Sequence, residues 1–272
     1  MRPEAPRFGA HRAEKPRNVV RGGTNTVSSR NSSWAHSDLL FLTSECHEKL
    51  LDCNIYLIIP SQLCRVDKIV RMKSESIKLP FRDAQLVQIV DAALADTARR
   101  SGDWLVCRPG CTQCCVGVFA IDQLDTARLE QGLRELTVSD PERAAAVVER
   151  ARKSVKRLSQ DFPGDPATGL LDPAQEERFE DFANDEPCAA LDPATGLCDL
   201  YRSRPMTCRV FGPPVRSEEG LGVCELCYHG ATEEQIAACE MPVTDLGEEL
   251  LEEFEQSSGR RGQTLVAFAL GL

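Results

Sequence analysis

The stretch CRPGCTQCC, residues 107–115, sets what kind of core this chain can build. Its cysteines are Cys107, Cys111, Cys114 and Cys115. Two residues between cysteines let one turn aim both sulfurs at one ion, at about 2.3 Å for zinc. The enclosed Pro-Gly pair favours a tight turn rather than the interior of a strand. The stretch therefore predicts a metal-binding loop.

Five further cysteines follow downstream. They are Cys188, Cys198, Cys208, Cys224 and Cys227, of which the last two repeat the two-residue spacing. The chain has 13 cysteines, and no apolar stretch follows its first charged residues as a secretory signal would require. In a reducing compartment, clustered cysteines indicate metal or redox chemistry rather than disulfides. We therefore predict a cytoplasmic protein in which these nine cysteines ligate metal.

The adjacent pair Cys114 and Cys115 constrains how the sulfurs are used. Neighbouring Cα atoms lie about 3.8 Å apart across a trans peptide, whereas a disulfide usually needs roughly 4.4–6.8 Å. A bond between these two sulfurs is therefore not expected. Either they serve different ions, or one is a ligand while the other packs or donates.

A second informative stretch is CDLYRSRPMTCRVF, residues 198–211. Together with the first cluster, Pro187-Cys188 and a later cysteine, it resembles the YkgJ-like CxxCxxCC zinc- or iron-chelating cysteine-cluster family. The resemblance covers roughly residues 107–228. The segment Tyr-x-x-Arg-Pro-x-x-Cys-Arg is its most specific part. Cys107 departs from the family pattern, because three residues rather than two separate it from Cys111.

The resemblance implies metal binding much more directly than it implies a reaction. All-sulfur ligation suits both zinc and iron–sulfur clusters. Adjacent cysteines and irregular spacing favour an iron–sulfur cluster, with Zn²⁺ as the alternative cofactor. One hypothesis is a redox or modifying protein, and the other is a non-catalytic chelating or metal-handling module. A thiol–disulfide exchanger using Cys224 and Cys227 ranks last, because no strand–helix context surrounds the pair.

Several other residues near the cysteines have candidate roles. Arg202, Arg204 and Arg209 would stabilise a negatively charged thiolate site and raise a cluster's reduction potential, or form an ordinary solvated face. We expect His229 to be a polar surface group and Cys239 to belong to the core. The sequence does not decide whether the protein is an enzyme.

Charge divides the chain near residue 71. Residues 1–71 carry a net charge of +4, and residues 72–272 carry −14. The first part has little apolar periodicity in residues 1–35, so we predict a disordered tail or an over-extended gene start. Residues 72–272 are predicted to form the metal-binding domain. Such an acidic domain disfavours nucleic-acid binding, and its apolar runs are too short for a membrane. The expected partner is an unidentified protein or small molecule.

The predicted fold class is α+β, mostly helical, with short strands around a small, irregular, metal-nucleated cysteine-rich core. Helices are predicted over 83–100, 122–136, from Pro141, from Pro173, after Thr232 and over 244–256. Strands are predicted over 116–121, 188–191 and 197–201, and residues 265–272 suit either type. DPATGLLD (165–172) echoes DPATGLCD (192–199), but two matches this short do not predict a structural repeat.

Overall fold

Three long helices carry apolar stripes that pack into the core. We analysed a computed structural model, which describes residues 78–217, 220–242 and 244–272. The α-helices in this part of the chain are α1 (Asp83–Ser101), α2 (Gln123–Ser139), α3 (Pro141–Leu158), α4 (Glu176–Glu180), α5 (Met206–Val210), α6 (Glu233–Ala238), α7 (Leu246–Ser258) and α8 (Val266–Gly271). The predicted tail, residues 1–71, lies outside the described residues.

The starts of α2 and α3 follow the signals in the sequence. Asp122 precedes α2, and its carboxylate accepts a hydrogen bond from the backbone N–H of Asp125 at 2.7 Å. Asp140 does the same for Arg143 at 3.1 Å, with Pro141 opening α3. These side chains satisfy backbone donors that have no partner within the helix. Both predicted helix starts are confirmed.

Short two-stranded antiparallel sheets complete the described fold. Their strands are β1 (Gly164–Asp165), β2 (Leu170–Leu171), β3 (Leu191–Asp192), β4 (Leu197–Cys198), β5 (Val215–Ser217) and β6 (Gly220–Gly222), paired in chain order. The mostly helical α+β class is thereby confirmed.

Some predicted elements were wrong in type or extent. Residues 116–121 are not a strand: Val116 and Ile121 make only isolated bridges, to Pro187 and Thr264. In place of the strands predicted over 188–191 and 197–201, the structure has the two-residue strands β3 and β4. Their hairpin pairs only Leu191 with Cys198 and Asp192 with Leu197. Residues 265–272, for which either a strand or a helix was predicted, contain α8, whose buried side chains pack against α3.

The two DPATG stretches form the same hairpin, which corrects the expectation that the match was incidental. In each, the aspartate carboxylate accepts from the alanine backbone and the threonine hydroxyl, at 3.0 and 2.8 Å in the first copy. The corresponding distances in the second are 3.0 and 2.6 Å. The glycines have φ of +72° and +69°, a region that favours glycine.

The apolar side chains of the described residues form several clusters. The largest joins α2, α3 and α8, and Cys188 and Cys198 pack against its edge. A second lies between α1, α2 and α7. A much smaller cluster contains Cys227, Tyr228 and Cys239. No helix of the described residues combines the length and apolarity needed to cross a membrane.

Candidate metal centre

The first cysteine cluster lies on a turn followed by a short 3₁₀ helix, as the Pro-Gly sequence predicted. The N–H of Cys111 donates to the carbonyl of Arg108 at 2.9 Å, and Gly110 has φ of +89°. The 3₁₀ helix Gln113–Cys115 carries the adjacent pair. The loop therefore presents its thiols at closely spaced positions without a long element of its own.

Five thiols line one shallow cavity, and we call them the outer set. They are Cys107, Cys111, Cys114, Cys224 and Cys227. The last two lie on a second turn, in which the N–H of Cys227 donates to the carbonyl of Cys224 at 2.9 Å. The N–H of Tyr228 then donates to the carbonyl of Trp104 at 2.8 Å, which joins this turn to the chain just before Cys107.

The remaining four thiols, which we call the inner set, are Cys115, Cys188, Cys198 and Cys208. Cys188 and Cys198 pack against the largest apolar cluster. The N–H of Cys188 donates to the carbonyl of Cys115 at 2.8 Å. Cys198 lies at the end of the second hairpin, paired with Leu191, and Cys208 lies on α5. Four separate segments of the chain thus bring their thiols together.

Burial and crowding of like groups make these thiols hard to ionise without a metal. Burial, with the neighbouring thiols Cys111, Cys114, Cys227 and Cys224, raises the pKa of Cys107 to about 11. Burial likewise raises the pKa of Cys198 to about 11 and raises the pKa of Cys208. Because metal ligation requires thiolates, binding must release protons from both sets.

The adjacent cysteines are hydrogen-bonded to each other and lie where the two sets meet. The thiol of Cys115 donates a hydrogen bond to the sulfur of Cys114, which lowers the pKa of Cys114 to about 7 and raises the pKa of Cys115. Cys114 lines the outer cavity and also interacts electrostatically with Cys188 and Cys208, and Cys115 interacts with Cys188 and Cys198. The hydrogen bond fits the alternative in which one sulfur is a ligand and the other donates to it.

Two of the three predicted arginines are buried, and one of them acts on a thiol. Arg204 and Arg209 are 8% and 1% exposed, whereas Arg202 is exposed. The guanidinium of Arg209 donates to both carboxylate oxygens of Asp91, at 2.8 and 2.9 Å. The charge of Arg204 helps to lower the pKa of Cys114, after the hydrogen bond from Cys115. The solvated-face alternative holds for Arg202 alone.

Asp91 on α1 was missed by sequence reasoning, because it occupies an ordinary polar position of an amphipathic helix.

A buried network of charged side chains beside α5 was also missed, because nothing in the sequence pairs its members. Arg128 contacts Asp83 at 2.5 Å and Asp125 at 2.6 Å, and Asp125 accepts from the N–H of Met206 at 3.0 Å. This network fixes the start of the helix that carries Cys208.

His229 and Cys239 lie where the sequence suggested. His229 is exposed. Cys239 is buried in the small apolar cluster with Tyr228, where it also packs with Cys227 of the outer set. Tyr228, which directly follows Cys227, has φ of +59°, and its hydroxyl forms a hydrogen bond with that of Ser101 at 2.5 Å. These features fix the position of the residue next to the outer set.

The donor atoms of both sets fit a soft metal, although the sulfurs do not converge on one point. Among residues 78–217, 220–242 and 244–272, no three Cys, His, Asp or Glu side chains are arranged closely enough to hold a single metal ion. The nine neighbouring donors are nevertheless all sulfur, the chemistry preferred by zinc and iron–sulfur clusters. The residues therefore fit such a group by type and proximity.

Comparison with known families agrees with this chemistry. Residues 106–228 match the family model CxxCxxCC, described as "Putative zinc- or iron-chelating domain". The resemblance to the CxxCxxCC family is confirmed over these residues. The match contains all members of the outer and inner sets, and it leaves out α1, α6, α7 and α8. Among curated proteins and among solved structures, no match to the chain was found.

Proposed function

We propose that this chain is a metal-binding protein in which the outer and inner sets form two neighbouring thiolate sites. The observation that carries the proposal is the division of nine cysteines from distant segments into these two groups. Eight of the nine thiols are exposed or only partly buried, so packing in an apolar core does not account for them. Metal ligation gives all nine a common purpose.

An iron–sulfur cluster is the cofactor that the arrangement favours over a single zinc ion. A tetrahedral zinc ion with Zn–S distances of about 2.3 Å needs its four sulfurs nearly in mutual contact. The thiols here are neighbours but do not converge in that way. A cluster places several iron and sulfide atoms between the protein sulfurs, so its ligands lie farther apart. When bound, such a cluster supplies one-electron transfer.

Residues of this chain would tune such a centre. Thiolate ligands bring negative charge, and the buried guanidinium group of Arg204 places positive charge where it acts on Cys114 and Cys198. Asp91 holds Arg209 in place and lies 3.4 Å from Arg204. A redox or modifying activity would draw on this electrostatic setting. Its substrate or partner is a protein or small molecule, consistent with the acidic surface.

The alternative, a non-catalytic zinc- or iron-chelating module, is supported by the inner set. It offers four thiols, the number that a closed structural zinc site uses, and two of them pack against the main apolar cluster. A metal bound there would stabilise the junction of the second hairpin, α3 and α5. The fold and the metal would then be coupled.

Elemental analysis of the full chain, purified without oxygen, tests the proposal and separates the two cofactors. Iron with acid-labile sulfide and broad visible absorption supports the cluster, whereas colourless protein with zinc supports the module. Protein that contains no metal under these conditions contradicts both.

Matched variants locate the metal. We expect Cys188→Ser to lose the metal of the inner set and Cys224→Ser to weaken that of the outer set. Cys239→Ser is the control for removing a cysteine that is not assigned as a ligand; because Cys239 packs with Cys227 in a small apolar cluster, we expect only a small effect on the outer metal. Equal metal loss in all three variants would mean that the assignment of thiols to sets is wrong.

A further inference from the structure

Three aspartates surround one arginine where the first residues of α1 and α5 contact α2. The guanidinium of Arg128 donates to the carboxylate of Asp83 through Nε and Nη2, at 2.8 and 2.5 Å, and to that of Asp125 through Nη1, at 2.6 Å. Asp122, three residues before Asp125, accepts from the N–H of Asp125 at 2.7 Å. Asp83 is the first residue of α1, whereas Asp125 and Arg128 lie on α2. We call these four residues the aspartate cluster.

The aspartate cluster lies inside the protein and has more acidic than basic groups. Asp83, Asp125 and Arg128 are 5%, 2% and 5% exposed, and Asp122 is partly buried. Among residues 78–217, 220–242 and 244–272, Arg128 is the only cation that forms an ion pair with these carboxylates. Three carboxylates and one guanidinium, all ionised, would carry a net charge of −2. Burial of such uncompensated charge is costly, and each carboxylate disfavours ionisation of its neighbours.

The groups that face Asp125 from the other helices do not supply the missing positive charge. From α5, the backbone N–H of Met206 donates to both oxygens of Asp125, at 3.0 and 3.1 Å. Cys208, farther along α5, interacts with Asp125 electrostatically, and burial raises the pKa of this thiol, so it stays neutral near pH 7. α7 contributes the apolar side chains of Leu250 and Phe254 to the cluster it shares with α1 and α2. A bound proton is the remaining way to neutralise one carboxylate.

We propose that Asp122 and Asp125 together bind one proton at slightly acidic pH, and that loss of this proton loosens the junction of α1, α2 and α5. The proposal does not rest on the proposed function, because it requires no metal. Burial and the charge of Asp122 raise the pKa of Asp125 to about 7, and burial raises the pKa of Asp122. Since the two carboxylates interact, the proton belongs to the pair rather than to either residue.

The bound proton stabilises the fold at low pH. An aspartate of the unfolded chain has a pKa of about 3.9, so between this value and about 7 the folded state holds a proton that the unfolded state has released. The stabilising contribution is full below about pH 4 and is lost as pH rises through about 7. We expect this pair alone to raise the unfolding equilibrium constant about tenfold between pH 6 and pH 8.

Chemical denaturation of the full chain at pH 6 and pH 8 measures this effect. Asp125→Asn and Asp122→Asn each remove one carboxylate of the pair, and asparagine at position 122 still caps α2. Asp140→Asn is the matched control, because Asp140 caps α3 in the same way but is exposed. We expect the tenfold rise in the wild type and in Asp140→Asn, measured relative to Asp125→Asn or Asp122→Asn. Cys114, with a pKa lowered to about 7, titrates in every protein of the set, so the comparison removes its contribution.

Infrared spectroscopy detects the proton directly. A protonated carboxylic acid has a C=O stretching band that an ionised carboxylate lacks. We expect this band in the wild type at pH 6, a much weaker band at pH 8, and none in Asp125→Asn or Asp122→Asn. If one of these variants does not fold, the other tests the same proton, because the pair shares it. Absence of the band from the wild type at pH 6, or its persistence in both asparagine variants, would overturn the proposal.

Hydrogen exchange shows which part of the fold responds to loss of the proton. After correction for the intrinsic exchange rate, we expect amide protection in α1 and α5 to fall between pH 6 and pH 8. Protection in α3 and α8, which share the largest apolar cluster, should fall less. Asp125→Asn should show no such difference between the helices. Equal changes in all four helices of the wild type would contradict the loosening of this junction.

Discussion

The two DPATG hairpins share a backbone and differ in what they contribute. Both close with an aspartate that accepts the same pair of hydrogen bonds and a glycine in the left-handed region. In the first hairpin, Leu171 is 7% exposed and packs with Phe162 and Phe268. In the second, the equivalent residue is Cys198 of the inner set.

The following aspartates also differ in use. Asp172 accepts from the N–H of Ala174 at 3.0 Å and starts a 3₁₀ helix at the surface. Asp199 is buried and binds Arg143, as well as Arg150 at 2.5 Å. Identical turns thus carry a core residue in one place and a candidate ligand in another. The turn sequence sets the hairpin, and its surroundings set its role.

The largest expected effect comes from making the second hairpin match the first. Cys198→Leu removes a thiol from the inner set, so we expect loss of the inner metal and a clear fall in melting temperature. The turn residues are unchanged, and the hairpin itself should survive. Elemental analysis together with thermal unfolding measures both effects. Retention of all metal would show that Cys198 is not a ligand.

The reverse change, Leu171→Cys, is the matched control. It shortens a buried apolar side chain among aromatic neighbours and should cost about 2 kcal/mol of unfolding free energy. Metal content should stay as in the wild type, because no cysteine belongs to the apolar cluster around Leu171. Chemical denaturation gives the free energy. An increase in bound metal would contradict the separation of the two hairpins.

The turn glycines should differ in their tolerance of alanine. Gly169→Ala places a Cβ 2.8 Å from side-chain atoms of Phe268 and also forces alanine to φ of +72°; we expect a cost of about 3 kcal/mol. At Gly196 the nearest atom is the Cγ2 of Thr112 at 3.6 Å, so Gly196→Ala should cost about 1 kcal/mol. Equal unfolding free energies would mean that packing does not distinguish the turns.

The aspartates that follow the hairpins sharpen the contrast further. Asp199→Asn removes a buried charge that binds two arginines, and we expect a loss of about 2 kcal/mol of unfolding free energy. Asp172→Asn should leave stability unchanged, because asparagine caps a helix as well as aspartate does. Urea titration of both variants is the measurement. A large effect at Asp172 would indicate a role that its exposed position does not reveal.

The smallest expected difference between the two hairpins is in the pH dependence of stability of the metal-free protein. The pKa of Cys198 is raised by burial from 9.0 to about 11, so the folded state favours the neutral thiol. Its contribution to stability is full below about pH 9 and is lost as pH rises through about 11. Cys198→Leu should therefore flatten the decline of melting temperature between pH 9 and 11. Leu171→Cys buries a new thiol, so it should not flatten this decline. An unchanged slope in Cys198→Leu would contradict the raised pKa of Cys198.

Helix starts were predictable because each depends on a few neighbouring residues. Asp122 and Asp140 cap the helices they precede, and Thr232 forms the capping box expected with Gln235. Strand lengths were less predictable. The apolar run 116–121 was predicted to be a strand. Only its two end residues pair, and their partners, Pro187 and Thr264, lie in different parts of the chain.

The sequence by itself determined the inventory of this protein: nine clustered cysteines, the arginines between them, the caps, and two turns with the same residues. These follow from local chemistry, in which each residue acts on atoms only a few positions away. The tertiary structure decided which thiols are neighbours, that Cys114 borders both sets, and that Asp91 on α1 meets Arg204 and Arg209. The contacts of Asp91 join residues more than a hundred positions apart, and only packing of the helices brings them together.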